Sequence, residues 1–194
     1  NILGSISIKG TTVQRRKGNP QPRIAECYSG LINSVGLENP GMENVIQKEL
    51  KDLEKIYRKP VIANISGFSV EEYVTLAREI DNVGIIEVNI SCPNVDHGGL
   101  AFGTNADNVR ELTKKIKEVT TKPVYMKLSP NVTDIKEIAR AAEEGGADGI
   151  SLINTLMGMR IDINRRRPVI TNKKGGFSGP AIFPVALRMV YEVY

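Results

Sequence analysis

Along the chain, short continuous apolar runs alternate with longer segments whose apolar positions recur at helical spacing. The short runs are "GSISIKG" (4–10), "PVIANIS" (60–66), "VGIIEVNIS" (83–91), "PVYMKLS" (123–129) and "DGISLIN" (148–154). They are rich in β-branched residues and do not alternate apolar with polar. That pattern predicts parallel strands buried on both faces.

The longer segments predict helices. In "SVEEYVTLAREI" the stripe is Val70, Tyr73, Val74, Ala77 and Ile80, and Ser69 with Glu72 reads as a capping box. In "ADNVRELTKKIKEV" the stripe is Val109, Leu112, Ile116 and Val119. In "TDIKEIARAAEEGG" it is Ile135, Ile138, Ala139 and Ala142, with Gly145-Gly146 as the stop. Another helix is expected over 41–57, and one more begins near Pro184.

Strand–helix alternation means βαβ units and a parallel sheet. An open doubly wound sheet and a (β/α)8 barrel both satisfy it. No GxGxxG follows a strand, so a Rossmann dinucleotide site has no support. A whole barrel takes about 250 residues, so five strands in 194 residues would be an incomplete segment of one, read here as a single domain over 1–194. Two stretches depart from the pattern. Residues 16–41, rich in Gly, Pro and Asn, are too long for an ordinary connection and predict a functional loop. Residues 159–172, "MRIDINRRRPVITN", read as two short strands joined by a polar turn.

Composition narrows the function classes. The chain is 41% hydrophobic and 25% charged, which fits a soluble globular protein. It has no apolar run long enough to span a membrane and no secretory signal pattern. Its net charge is +4, but the basic clusters are short and carry no interleaved aromatics, so nucleic-acid binding gains little support. Two cysteines, Cys27 and Cys92, and one histidine, His97, cannot make a four-ligand zinc site. A reduced, cytoplasmic protein is the expectation.

In parallel α/β folds, ligands bind at the C-terminal ends of the strands. The strand ends here carry Lys9, Asn64, Asn89, Lys127 and Asn154-Thr155, and the long loop adds Asn33. Asparagines offer a donor pair and an acceptor, which suits the edge of an imide or pyrimidine. Lysines suit a carboxylate, a phosphate or an electron-rich flavin edge. The loop "KKGGFSGPAIFP" could present backbone N–H groups to an anion, or be a plain turn. Cys92, just after the third strand, is either a buried thiol or an acid/base whose pKa its surroundings lower.

The motifs "GNPQPR", "LINSVGL", "NISCPNV", "GGLAFGT", "VYMKLSPNVTDI", "GADGISLINTLMGMRID" and "GGFSGPAIFPVALRMVYEV" resemble the class 1 dihydroorotate dehydrogenases over nearly the whole chain. "GGLAFGT" and the segment 159–172 are most similar to the class 1B catalytic subunit. The resemblance implies an FMN-containing (β/α)8 barrel that oxidises (S)-dihydroorotate to orotate in pyrimidine biosynthesis. It implies Cys92 as the general base, taking the C5 proton while hydride leaves C6 for the flavin. Lys9, Asn33, Asn89, Asn94, Asn154 and Thr155 would hold the substrate, with the backbone of Val35, Gly36 and Leu37. Lys9, Gly10, Asn64, Asn89, Lys127, Ile153 and Gly179 would contact FMN. The family pattern also implies a first strand before residue 1 and two further βα units after residue 194. It implies a homodimer and a partner subunit carrying FAD and a [2Fe-2S] cluster, with NAD as final acceptor.

Three other readings compete. The pyrimidine-reducing domain of dihydropyrimidine dehydrogenase shares "PNVTDI", but its catalytic cysteine would fall where this chain has Phe102. A flavin-free lyase would use Lys127 as a Schiff-base nucleophile. A non-catalytic binding module on the same fold would need none of this chemistry.

Overall fold

A computed structural model describes residues 2–91 and 102–194. In chain order it contains β1 (Ile6–Ser7), β2 (Ile24–Cys27), β3 (Gly30–Asn33), α1 (Met42–Asn44) and α2 (Leu50–Ile56). A π-helical turn, Val45–Glu49, makes α1 and α2 one helical run. There follow β4 (Val61–Ile65), α3 (Val70–Glu79), β5 (Ile85–Asn89), α4 (Ala106–Lys117), β6 (Val124–Lys127), α5 (Ile135–Glu144) and β7 (Gly149–Ser151). Last come β8 (Leu156–Met159), β9 (Ile161–Asp162), β10 (Arg167–Pro168), β11 (Lys174–Ser178) and α6 (Phe183–Val193).

The strands expected from the apolar runs form one parallel sheet in the order β1-β4-β5-β6-β7. That order follows the chain without reversal. A doubly wound sheet must reverse at a switch point, so the sheet is an arc of a (β/α)8 barrel rather than an open Rossmann-type sheet. Helices α3, α4, α5 and α6 pack each on the next along the arc.

One expectation needs correction. The strands are not buried equally on both faces. Ala63, Ile65, Ile86, Val88, Val124, Met126 and Leu128 face the helices and are inaccessible to solvent. On the opposite face Ile85, Glu87, Asn89, Tyr125 and Lys127 are only half-buried. The apolar run hides this because that second face begins apolar and turns polar only toward the strand ends.

The helical stripes largely follow the spacing, but Val70 and Val119 are only half-buried and Val119 lies past the end of α4. In α3 it is Leu76 that is fully buried, while Val74 is half-buried. Val109, Leu112, Ile116, Ile135, Ile138 and Ala142 all enter the core. Each fully buried Leu or Ile contributes roughly 1.5–3 kcal/mol through burial. The Ser69 hydroxyl caps α3 by accepting from Glu72 N at 3.3 Å. The returning arm lands one residue early: Glu72 Oε2 accepts from Phe68 N at 2.7 Å.

The ends of the predicted strands contract. The first ladder covers Ile6 and Ser7, although the chain stays beside β4 through Ile8 N–Ile62 O and Thr11 N–Asn64 O. The last stops at Ser151, before a cis Leu152-Ile153 peptide.

A second, antiparallel sheet in the order β2-β3-β11-β8 was not foreseen. The hairpin β2–β3 occupies the long segment read as a loop. The anion-loop reading of "KKGGFS" is overturned. This stretch is β11, paired on one side with β3 and on the other with β8. Gly176 and Phe177 are paired on both sides and the residues flanking them on one, so the stretch is a strand and not an open turn. The two short strands expected in 159–172 are β9 and β10, antiparallel to one another.

Candidate functional site

The C-terminal ends of the parallel strands and the inner edge of the antiparallel sheet enclose a cleft of about 610 Å3. Lys9, Asn33, Val35, Gly36, Leu37, Asn89, Asn154 and Thr155 all line it. These are the substrate-holding residues named from the sequence, apart from Asn94, which like Cys92 lies outside the described residues. Ser91, the residue before Cys92, also lines the cleft.

Asn89 and Asn154 are held, not loose. Asn89 Oδ1 accepts from Asn154 Nδ2 at 3.0 Å and from Ser91 N at 3.2 Å. Its backbone oxygen accepts from the Tyr73 hydroxyl at 2.8 Å. With its oxygen so engaged, the amide nitrogen is the group Asn89 can offer a ligand. Asn154 Oδ1 accepts from Thr155 N at 2.8 Å, which orients that side chain too. Asn33 makes only long bonds, to Gly176 O at 3.4 Å and from Val35 N at 3.5 Å, so its amide can turn toward a ligand at small cost.

The turn Val35-Gly36-Leu37 is braced by "GNPQPR". Asn19 N donates to Val35 O and Asn19 Nδ2 to Ser34 O, both at 2.9 Å. Gly36 and Leu37 have φ of 79° and 56°. A Cβ on Gly36 would sit 2.6 Å from Asn19 Cγ, so both backbone and space require glycine there. Arg23 closes the brace by pairing with Glu38.

The residues expected to touch a flavin divide. Lys9 and Asn89 are on the cleft wall, whereas Gly10, Asn64, Lys127, Ile153 and Gly179 are not part of its lining. Asn64 and Lys127 instead meet at Glu87, which sequence reasoning passed over. Asn64 Nδ2 donates to Glu87 Oε2 at 2.5 Å, and Lys127 Nζ is 3.7 Å from the same oxygen. Gly10 lies against Asn64, and a Cβ there would come within 2.9 Å of Asn64 Oδ1. Ile153 packs on the core. Gly179, with φ 126°, allows β11 to pass Gly30 closely.

Other functional candidates were also missed. Asn131 bonds to Thr155 O at 3.1 Å and accepts from Met157 N at 2.8 Å, so it holds the segment after β7. It stands past the end of β6, at the position that drew attention to the other rim asparagines. Arg16 lines the cleft and lies over the Phe68 ring, 4.6 Å from its centroid. Glu87 had a sequence signal as well: an acid inside an apolar strand must find partners.

A family model described as dihydroorotate dehydrogenase matches residues 1–194. The chain belongs to the dihydroorotate dehydrogenase family. It is 56% identical over its whole length to a protein of Halalkalibacterium halodurans named "Dihydroorotate dehydrogenase B (NAD(+)), catalytic subunit", covering 64% of that protein. Proteins of the same name from Bacillus cytotoxicus and Bacillus cereus are 56% and 55% identical over the whole chain, which covers 63% of each. The chain thus spans a little under two thirds of the length of these curated relatives. Among solved structures, the carboxyl transferase domain of Rhizobium etli pyruvate carboxylase, with pyruvate and biocytin, aligns over 54% of this chain and 18% of its own. That match has 18% identity and a TM-score of 0.43.

The dihydroorotate dehydrogenase family is flavin-dependent in general. The polar groups here suit a flavin ring: the Lys127 ammonium is a donor, and Asn64, its nitrogen held by Glu87, turns its oxygen as an acceptor toward Gly10, where there is no room for a side chain. The hydroxyl oxygens of Ser34 and Ser91, both residues of the cleft wall, are buried with no bonding partner among the described residues. Among the described residues no group of His, Cys, Asp and Glu could hold a metal ion, and no helix is long and apolar enough to cross a membrane.

Proposed function

We propose that this chain provides the substrate site of an FMN-dependent dihydroorotate dehydrogenase, which oxidises (S)-dihydroorotate to orotate. The observation that carries the reading is the cleft wall. Lys9, Asn33, Asn89, Asn154 and Thr155 converge there from distant points of the chain, and Asn89 and Asn154 are bonded to each other.

The amides of Asn33, Asn89 and Asn154 match the alternating N–H and C=O edge of the substrate ring, and Lys9 matches its carboxylate. Asn94 joins them. The backbone of Val35, Gly36 and Leu37 adds donors beside Asn33. Fixing the ring in this way sets the direction of its C5 proton. Cys92 takes that proton, a role supported by Ser91, its neighbour, on the cleft wall. FMN, when bound, supplies the hydride acceptor. Lys9, Gly10, Asn64, Asn89, Lys127, Ile153 and Gly179 would hold it, and Lys127 would favour negative charge on the ring. By the relatives' name, a partner subunit and NAD complete the reaction. Such a partner would carry FAD and a [2Fe-2S] cluster, the catalytic subunit would be a homodimer, and the setting would be cytoplasmic.

The dihydropyrimidine dehydrogenase alternative is disfavoured by Phe102. That residue is buried, packed edge-on against Tyr73 with ring centroids 5.7 Å apart, and supplies no acid.

The test is the visible spectrum of the full-length protein, followed by dihydroorotate without oxygen. Flavin absorption that bleaches is the expected result. Flavin that does not bleach would leave the cofactor and remove the substrate. Protein that stays colourless when supplied with FMN would remove both.

A further inference from the structure

Glu87 is an acid in the strand sequence Ile85-Ile86-Glu87-Val88-Asn89, with its side chain only 15% exposed. Its Oε1 accepts from Ser151 Oγ at 2.7 Å. Its Oε2 accepts from Asn64 Nδ2 at 2.5 Å and lies 3.7 Å from Lys127 Nζ. One carboxylate therefore ties β5 to β4, β6 and β7. The register makes this reach natural, because Asn64 is the partner of Glu87 and Ser151 the partner of Lys127.

Two consequences follow for what the site can present. A carboxylate can only accept, so it compels Asn64 to turn its nitrogen inward. The Asn64 oxygen is thereby committed to the Gly10 side, where a Cβ would meet it at 2.9 Å. The second consequence concerns charge. At 3.7 Å the Lys127 ammonium is compensated without a closed hydrogen bond, so its donors stay available to a ligand.

We propose that Glu87 is a positioning residue for the flavin ring, fixing the acceptor end of Asn64 and setting the net charge that Lys127 presents. This rests on the flavin reading above. Replacing the carboxylate by an amide of equal size would leave the Lys127 charge uncompensated and free Asn64 to flip. An uncompensated positive charge favours the electron-richer reduced flavin.

The experiment uses full-length protein loaded with FMN, and reads the midpoint potential and the FMN dissociation constant. Glu87→Gln should move the potential to a more positive value and weaken FMN binding roughly tenfold, because Asn64 is no longer held to offer its oxygen to the ring and about one hydrogen bond is lost. Glu87→Asp and Ser151→Ala keep the charge and should leave the potential at the wild-type value. A Gln variant with unmoved potential overturns the proposal. If the Gln variant retains no FMN, the Asp variant decides: restored binding supports the proposal, and equal loss overturns it. Wild-type protein that binds no FMN would overturn the functional reading and this inference with it. Wild-type flavin with an unmoved Gln variant sinks the inference alone.

Discussion

Asn154 Nδ2 donates to Asn89 Oδ1 across 3.0 Å, joining the ends of β5 and β7 over the top of β6. The two residues are far apart in the chain, yet each sets the orientation of the other's amide. Because the shared proton comes from Asn154, Asn89 keeps its own amide hydrogens for a ligand.

Asn154→Ala should therefore harm the site twice, by removing one contact and by releasing Asn89. Steady-state kinetics should show kcat/KM for dihydroorotate lowered roughly 10- to 100-fold, as expected for losing one or two hydrogen bonds to a charged or polar ligand. The Asn89→Ala/Asn154→Ala double variant should lose less than the sum of the single losses. Strict additivity would mean that the bond between them does no orienting.

Cys92→Ser exchanges a thiol for a much weaker acid. Substrate oxidation near neutral pH should fall by orders of magnitude while FMN absorption is retained, and activity should climb as pH is raised. A serine variant with full activity at neutral pH would remove Cys92 from the role of base.

Gly10→Ala would drive a Cβ to 2.9 Å from Asn64 Oδ1 and 3.6 Å from Leu37 Cδ2. Asn64 is held on its other side by Glu87 and cannot yield freely. The variant should lose about 1–3 kcal/mol of stability, the usual penalty for overpacking. Denaturant unfolding would measure it, and an unchanged midpoint would show that the Asn64 side chain relaxes.

Asp148 links α4 to the start of β6 by accepting from Lys117 Nζ at 2.6 Å and Val124 N at 2.7 Å. The Lys117 hydrogen bond, then that from Val124, holds its carboxyl below the ordinary value of 3.8. A depressed folded-state pKa contributes stability that is present above the unfolded value and lost as pH falls through the folded one. Asp148→Asn should thus cost stability at neutral pH, on the order of 1 kcal/mol for so exposed a group. The gap from wild type should shrink in urea titrations as pH drops below about 4, near the ordinary aspartate value. A gap that stays constant into acid would mean the loss comes from packing.

Much of the site could be read along the chain because its asparagines and lysines end recognisable strands. Asn89 follows an apolar run, Lys127 closes another, and Asn154-Thr155 stands just beyond a third. What lies between strands was harder to see. Glu87 drew no notice because its three partners sit on β4, β6 and β7, and only the register brings them together. Asn131 was passed over although it occupies the same kind of position as its neighbours on the rim.

The sequence by itself determined the helices, the parallel strands and most of the buried face of α3, α4 and α5. These depend on periodicity within a few turns, and Leu112, Ile116 and Ile138 needed no distant information to be placed. Tertiary structure alone decided the barrel-type strand order and the second sheet. "KKGGFS" carries no local strand pattern. It becomes β11 because β3, at Gly176↔Asn33, and β8, at Gly175↔Gly158, each offer it a free edge. Pairing between segments as distant in the chain as Asn33 and Gly176 is governed by the sum of contacts that the folded chain makes available, and no short window of sequence contains that sum.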